Sequence, residues 1–222
     1  MYKFLFYFLS MLFSISSANG QFGLRLKTHS NKLRNINAEL AAAHSTNTTL
    51  YHREYEAGID YWFRLTKSRI EFTPELSVGY SSQSISELPD FESTLWKYNV
   101  LLNIQIYALD LEGDCNCPTF SKQGATINKG LFFQLVPKLT YNNEKLLANQ
   151  NSTSLNHWTY GVGIGMGLDI GISDLLTVSP IVTYFINSSF NSLWVPGVDD
   201  NPSQVQFAIR FGFRPDYAHR RR

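Results

Sequence analysis

The sequence lacks the features that mark several large classes of protein. It contains only two cysteines, and its 19 Lys and Arg residues are nearly matched by 18 Asp and Glu, for a net charge of +1. Without a basic surplus, the chain has no electrostatic footprint for binding nucleic acid. Beyond the first 20 residues no apolar run is long enough for a membrane-spanning helix, so a polytopic helical membrane protein is excluded. The aromatic content of 14% argues against a disordered chain.

Residues 1–20 have the layout of a secretory signal peptide. Lys3 precedes an apolar run over residues 4–15, and small polar residues follow as far as Gly20. This order predicts cleavage between Gly20 and Gln21. The alternative is a retained N-terminal anchor helix, for which the apolar run is short. No cysteine follows the cleavage position, so a lipid-anchored form is not expected, and removal of Lys3 leaves a formally neutral mature chain.

Apolar and polar residues alternate with a period of two along most of the mature chain, and helical periodicity is nearly absent. In the segment YEAGIDYWFRL, for example, Tyr55, Ala57 and Ile59 share one face, while Glu56 and Asp60 share the other. This alternation predicts β-strands. Eight such segments cover residues 22–27, 55–65, 70–80, 96–106, 131–141, 158–170, 176–184 and 205–213.

Short and longer connections alternate along the chain, as expected for a barrel whose two termini lie on the same side of an outer membrane. The short turns are 66–69 and 171–175, whereas 110–128 is longer than this pattern predicts. The longer loops cover residues 30–50, 81–93, 142–156 and 187–203.

The two faces of the predicted strands differ in charge, and this difference distinguishes a membrane barrel from a soluble lipocalin-like barrel. One face of every strand is apolar and ends in aromatic residues, as in the interfacial girdles of a membrane barrel. The other face carries equal numbers of acids and bases, which predicts a paired charge network that fills the lumen. These residues are Arg25, Lys27, Glu54, Glu56, Asp60, Arg64, Glu71, Glu75, Lys97, Lys138, Asp169 and Arg210. A soluble lipocalin-like carrier, the alternative, would have its apolar face inside.

The chain resembles the small outer-membrane β-barrels of the OmpA/OmpX type, especially the Bacteroidetes barrels that include the PorT-like accessory proteins of type IX secretion. The resemblance covers residues 21–213 and rests on the leader ending SANGQ, the strands FTPELSVGY, LVPKLTY and VSPIVTY, and the closing strand VQFAIRFGF. With the alternation, it predicts an all-β, eight-stranded antiparallel up-and-down transmembrane β-barrel with a polar, side-chain-filled lumen and periplasmic termini. Phe213 resembles the aromatic assembly signal of such barrels, and a basic tail at 214–222 follows it.

Prolines and glycines interrupt the predicted strands in two ways. Pro74, Pro137 and Pro180 occupy equivalent places on three strands, and a closed barrel has no edge to accommodate a missing donor, so bulges or register breaks are expected there. In the run GVGIGMG, Met166 stands where dinucleotide binding would need a glycine, and the run lies within a strand, which excludes that function. These glycines are expected to leave lumenal volume for long Arg, Lys and Glu side chains of neighbouring strands.

Cys115 and Cys117 lie within the long 110–128 connection. Two thiols at this spacing cannot by themselves form a closed structural zinc site. Two interpretations remain, a strained disulfide or an inert thiol pair that pins the turn, with a redox or metal function as a minor alternative.

The sequence predicts a non-enzymatic outer-membrane protein with an envelope structural or protein-interaction role, such as an accessory to secretion or surface assembly. Outer-membrane lipids, lipopolysaccharide and an envelope protein are the expected partners, and no cofactor, metal or catalytic residue is expected. The enzymatic alternative, a lipid A-modifying enzyme, would need a pair such as His157 with Ser152 or Ser154, with Glu144 nearby. A serine-rich loop produces such a pattern by chance.

Overall fold

The structure is a computed structural model that describes residues 21–44, 51, 53–64, 68–85, 88–109, 111, 130–148, 151–173, 175–193, 195 and 197–213. The leader, Cys115 and Cys117, nearly all of the 110–128 connection, the basic tail and the side chain of Arg64 lie outside this part of the chain. The expectations for them therefore stay predictions. Within the described residues, no helix is long and apolar enough to cross a bilayer.

Strands dominate the described residues. They are β1 (Gln21–Lys32), β2 (Arg53–Arg64), β3 (Ile70–Ile85), β4 (Leu88–Ile106), β5 (Leu131–Ala148), β6 (Asn151–Leu168), β7 (Ile170–Gly171), β8 (Leu176–Asn187), β9 (Phe190–Asn191), β10 (Asp199–Asp200) and β11 (Ser203–Phe213). One helix, α1, covers Arg34–His44 between β1 and β2. The predicted loop 30–50 was therefore wrong in part, because an 11-residue helix forms where no clear helical period is visible in the sequence.

The strands form a closed antiparallel barrel. In the barrel, β1 to β6 pair in chain order, β6 pairs with β8, and β11 pairs with both β8 and β1, which closes the sheet. β9 and β10 form a separate two-stranded sheet. The short strand β7 continues β6 beyond Asp169 and pairs with β8. The prediction of an eight-stranded up-and-down barrel is confirmed, and we name its two ends by what they contain. The terminal end holds Gln21 and Phe213, and the cap end holds α1 and the β8–β11 connection.

The barrel is apolar outside and polar inside. Because side chains alternate along a strand, the apolar set of each strand lies on the outer wall, where Ile59 and Ile164 are each 64% exposed. The polar set faces the lumen, where Arg25, Asp60 and Glu75 are at most 3% exposed. This is the opposite of the arrangement expected for a lipocalin-like carrier.

Four adjacent strands are much longer than the other four. β3 to β6 have 16 to 19 residues, whereas β1, β2, β8 and β11 have 11 or 12. The extra residues extend past the cap end as a wall on one side of the barrel. The predicted loops 81–93 and 142–156 were wrong for this reason, because most of their residues continue the strands. Both faces of these extensions carry polar residues, so the hydrophobic alternation that predicts a strand is missing there.

The three prolines interrupt pairing without shifting the register. Pro74, Pro137 and Pro180 lie in register with Leu102, Val162 and Ile209 on one neighbouring strand. On the other side of each proline the ladder has a short gap, and the same register resumes beyond it. The expected register breaks were therefore wrong. A proline lacks a single N–H, and each strand loses pairing only on one side.

Candidate functional site

The centre of the lumen is built around one carboxylate. Asp60 accepts a hydrogen bond from Arg25 Nε at 2.8 Å and hydrogen bonds from Arg210 Nε and Nη2 at 2.8 Å and 2.7 Å. Arg25 and Arg210 are directly opposed across the β1–β11 ladder, so both guanidinium groups converge on one point. A Cβ at Gly23 would lie 2.5 Å from Asp60 Oδ1, so a larger residue there would displace the carboxylate. All three charged side chains are buried, so their mutual pairing offsets the cost of desolvation.

A second cluster lies nearer the cap end. Lys27 Nζ contacts Glu56 Oε1 at 2.6 Å and also Glu75 Oε1. On the other side of Glu56, Oε2 lies 2.8 Å from His29 Nε2. Lys97 Nζ donates to Glu54 Oε2 at 2.5 Å. The two clusters are continuous, because Arg25 Nε also lies 3.4 Å from Glu75 Oε2.

Three members of this cluster have the chemistry of a metal site. Ligand atoms of His29, Glu54 and Glu56 all lie within 4.8 Å of one another. However, the ammonium groups of Lys97 and Lys27 already contact these two carboxylates. The arrangement is therefore a compensated ion-pair cluster in which lysines supply the positive charge that a metal ion would bring.

The terminal end of the lumen is organised by Tyr107. Its hydroxyl lies 2.5 Å from Asp169 Oδ2 and 3.0 Å from Glu71 Oε2, and its ring packs beneath the guanidinium of Arg69 at 4.2 Å. Trp62 Nε1 donates to Glu71 at 2.5 Å. Glu71 and Asp169, two acids predicted to face the lumen, thus both contact the hydroxyl of Tyr107, a residue that the sequence analysis did not identify.

One side of the lumen is apolar. Buried clusters of Tyr107, Phe132, Ile181 and Ala208 and of Leu101, Val136 and Phe185 line it. The glycines of β6 make room for these rings, since a Cβ at Gly163 would lie 2.6 Å from Phe185 and one at Gly167 would overlap Phe132. The expectation that these glycines accommodate long charged side chains was wrong. Gly163 and Gly167 accommodate aromatic rings, whereas Gly161 faces the Asn187 side chain and Gly165 faces Val182 and Thr183.

The charged residues predicted for the lumen are not all paired. Ten of the twelve lie in the ion-pair and phenol clusters above, and the side chain of Arg64 is outside the described residues. Lys138 is the exception. Its Nζ donates to the amide oxygen of Gln204 at 2.9 Å and lies 4.3 Å from the centre of the Phe185 ring. No carboxylate of the described residues forms an ion pair with it.

The cap end is closed by a cap, which consists of α1, Tyr51 and the described residues of 187–203. Leu33, Ile36, Tyr51, Leu95 and Phe190 form its buried apolar core. Asp200 Oδ2 accepts the N–H groups of Asn35 and Ile36 at 2.8 Å and 3.3 Å, and so caps the first turn of α1 from a distant segment.

Glu144 attaches the cap to the barrel. Its carboxylate, 0% exposed, accepts hydrogen bonds from the Tyr51 hydroxyl at 2.6 Å, the Ser192 hydroxyl at 2.7 Å and the Leu193 N–H at 2.9 Å. Tyr51 has a φ of 46°, a left-handed conformation that costs about 1–3 kcal/mol in a residue other than glycine. The contacts of its buried ring and hydroxyl hold it in that conformation.

The wall of long strands has a free edge at β6. Among the described residues, pairing of β6 with β8 begins at Gly161, and only Ser188 reaches Tyr160 beyond it. Residues 151–159 therefore pair on one side, with β5. Because the backbone groups of Tyr160 point towards β8, alternation directs those of Ser152, Ser154, Asn156 and Trp158 to the same open side.

The residues of the enzymatic alternative do not come together. Ser152 and Ser154 are exposed on the outer face of β6, with Trp158. His157 lies on the inner face, where its ring packs edge-on against Phe190 at 5.0 Å. Glu144 is committed to the cap. A histidine and a serine on opposite faces of one strand cannot share a proton.

The sequence analysis did not place several residues in the lumen or the cap, and it considered Glu144 only as part of the enzymatic alternative. Arg69, Tyr107 and Glu144 continue the inward alternation of their strands by one or two steps, so extending the period would have found them. Tyr51 has no such signal, because it lies in a connection and its place depends on contacts with Ser93 and Glu144.

No known family model matches the sequence, and no curated protein matches it. Among solved structures, the chain is similar to Ail, the attachment invasion locus protein of Yersinia pestis, with a TM-score of 0.52 and 9% identity over 87% of this chain and 96% of Ail. The structure of Ail with the heparin analogue sucrose octasulfate also gives a TM-score of 0.52, at 8% identity over the same shares of the two chains. Neisserial surface protein A gives 0.49 at 8% identity, over 89% of this chain and 97% of that protein.

The similarity to Ail defines a class by its fold. The chain has the closed eight-stranded barrel fold of the small outer-membrane proteins. At such low identity the likeness concerns the fold alone. It does not extend to the narrower resemblance to Bacteroidetes secretion accessories, which stays a prediction.

Proposed function

We propose that this chain is an integral outer-membrane protein that binds a protein partner outside the cell by adding a strand of that partner to the free edge of β6. The outer wall supports the proposed location. Tyr160 is 71% exposed and Ile164 is 64% exposed, within an apolar belt that continues around all eight strands. A contiguous apolar surface of this extent is favourable against lipid and unfavourable in water.

The predicted leader and the shape of the barrel together suggest its orientation. A secretory leader at residues 1–20 would carry the chain across the inner membrane, and the termini of the barrel would then lie in the periplasm. The cap and the wall of long strands would face the exterior.

Membrane lipid and lipopolysaccharide are the proposed partners of the outer wall. A groove of about 500 Å³ runs between Ile59, Leu76 and Val100 and is bordered by Tyr98 and Trp158, dimensions that suit acyl chains. Beyond the aromatic residues towards the cap end, Lys32 and Arg53 are exposed on β1 and β2. Basic side chains at that level are suited to lipid phosphates.

The observation that carries the proposed protein interaction is the free edge at residues 151–159. Four alternate residues of this segment direct main-chain donors and acceptors to the open side of the sheet, and an extended peptide is the ligand that complements them. Proteins usually protect such an edge with proline, charge or a bulge. The segment NSTSLNHWT has no proline and no Asp, Glu, Lys or Arg. A role accessory to secretion or surface assembly is the proposed context for this interaction.

The interaction can be tested through the main chain itself. A photo-crosslinking residue at Asn156 is expected to capture one protein partner in intact cells. Ser154→Pro removes a donor from the free edge and leaves the β5 ladder intact, so the crosslink should be lost, whereas Ser154→Ala should keep it. Equal crosslinking in both variants, with the barrel inserted, would contradict strand addition.

We also propose that the protein is not an enzyme, because His157 and the two serines face opposite sides of β6. Lipid A from cells that lack the protein should have an unchanged mass spectrum. A mass change restored by the wild-type gene and lost in His157→Ala would refute this part of the proposal.

A further inference from the structure

A half-buried lysine that faces the lumen lacks the compensation that its neighbours have. Lys27 and Lys97 each contact a carboxylate at 2.6 Å or less, whereas Lys138 meets a neutral amide and a ring face. Burial of an ammonium group is costly unless an opposite charge is present. A contact with an aromatic face at 4.3 Å offsets part of this cost, and two of the three N–H donors remain for another ligand.

A small cavity beside Lys138 is lined by two ammonium groups together with neutral polar and apolar side chains. It has a volume of about 30 Å³ and lies beneath the cap, between the barrel wall and the buried face of Phe190. Lys97, Lys138 and the side chains of Asn142, Thr159 and Gln204 line it. None of the described residues that line it is acidic, although the lumen as a whole is rich in carboxylates.

The nearest acids are engaged elsewhere. Glu54 is bound to Lys97, Glu56 to Lys27 and His29, and Glu144 to the cap. Their charges are therefore already balanced or solvated by hydrogen bonds. Among the described residues, Lys138 is the lysine of this region that contacts no carboxylate.

We infer that this cavity binds a single monatomic anion, a halide such as chloride, held between the ammonium groups of Lys138 and Lys97. A volume of about 30 Å³ exceeds the 10–15 Å³ that one water needs and suits an ion of similar radius. Thr159 Oγ1 accepts a hydrogen bond from Asn142 Nδ2 at 3.0 Å, which leaves the hydroxyl proton of Thr159 to donate to the ion. The anion neutralises Lys138 and fixes the space under the cap.

Thermal unfolding of the full-length mature barrel in detergent tests this inference. The midpoint is compared in sodium chloride, sodium bromide and sodium isethionate at equal ionic strength. At a halide concentration ten times the dissociation constant, the midpoint should lie about 3–6 °C above that in isethionate. Lys138→Met should abolish the difference, and Lys145→Met, an exposed lysine of the same strand, should keep it.

Two results would overturn the inference. One is an equal midpoint in all three salts, which would mean that water fills the cavity. The other is a halide effect that Lys138→Met leaves unchanged, which would place the ion elsewhere. If Lys138→Met does not fold, Lys138→Gln takes its place. Anomalous scattering from bromide in wild-type crystals gives a second readout, and a peak beside Lys138 Nζ is expected.

Discussion

Removal of the Asp60 charge should destabilise the barrel more than any change at an exposed acid. Asp60→Asn preserves the shape of the side chain but leaves Arg210 buried without the carboxylate that it contacts through Nε and Nη2. Arg25 loses less, because Asn103, Thr73 and Glu75 remain within its reach. Breaking a buried pair by removing one partner costs about 3–5 kcal/mol. We expect a loss of this size in the free energy of unfolding.

The measurement is urea unfolding of the refolded barrel in micelles, followed by tryptophan fluorescence. Glu92→Gln, an exposed acid on β4, is the control and should change stability by about 0.5 kcal/mol or less. The double variant Asp60→Asn with Arg210→Met should recover most of the loss, because it removes the orphaned charge. A value for Asp60→Asn that matches Glu92→Gln would refute the idea that this cluster holds the lumen together.

Three further changes probe the packed lumen, the cap and the outer wall. Gly163→Ala should destabilise the barrel by about 1–3 kcal/mol because the new Cβ meets Phe185, as measured by urea unfolding. Glu144→Leu should release the cap and speed hydrogen exchange at Ser192 and its neighbours, while the barrel strands stay protected. Ile164→Arg should weaken insertion into lipid vesicles by about 2–4 kcal/mol, since this side chain lies within the apolar belt.

Each of these changes has its own control. Phe185→Leu should partly restore the Gly163→Ala variant, and an additive double variant would contradict the proposed contact. Lys145→Leu, next to Glu144 but exposed, should leave exchange in the cap unchanged. Asn156→Arg lies on the same face as Ile164 but beyond the aromatic residues, and should insert normally. Equal insertion of both arginine variants would argue against a lipid-facing belt.

The barrel was predictable because the alternation of apolar and polar residues along a strand shows which side chains face outward and which face the lumen. Every second side chain faces lipid or the lumen, so residues such as Ile59 and Asp60 reveal their faces from sequence order alone. The number of strands, their antiparallel order and the inward position of the charges follow from this pattern. The contacts between Arg25, Asp60 and Arg210 do not, since the three residues come from strands far apart in the chain.

The sequence could not predict the segments in which the two faces of a strand are equally polar, nor the helix of the cap. The wall of long strands has polar residues on both faces, and α1 forms only because Asp200 and the apolar core of the cap stabilise it. The division of the lumen into a charged side and an aromatic side depends on which strands are neighbours across the barrel. The position of Lys138 in its strand predicted that it faces the lumen. That it forms no ion pair with a described carboxylate depends on the tertiary structure. Local order thus determined which way each side chain points, and closure of the sheet decided what it meets.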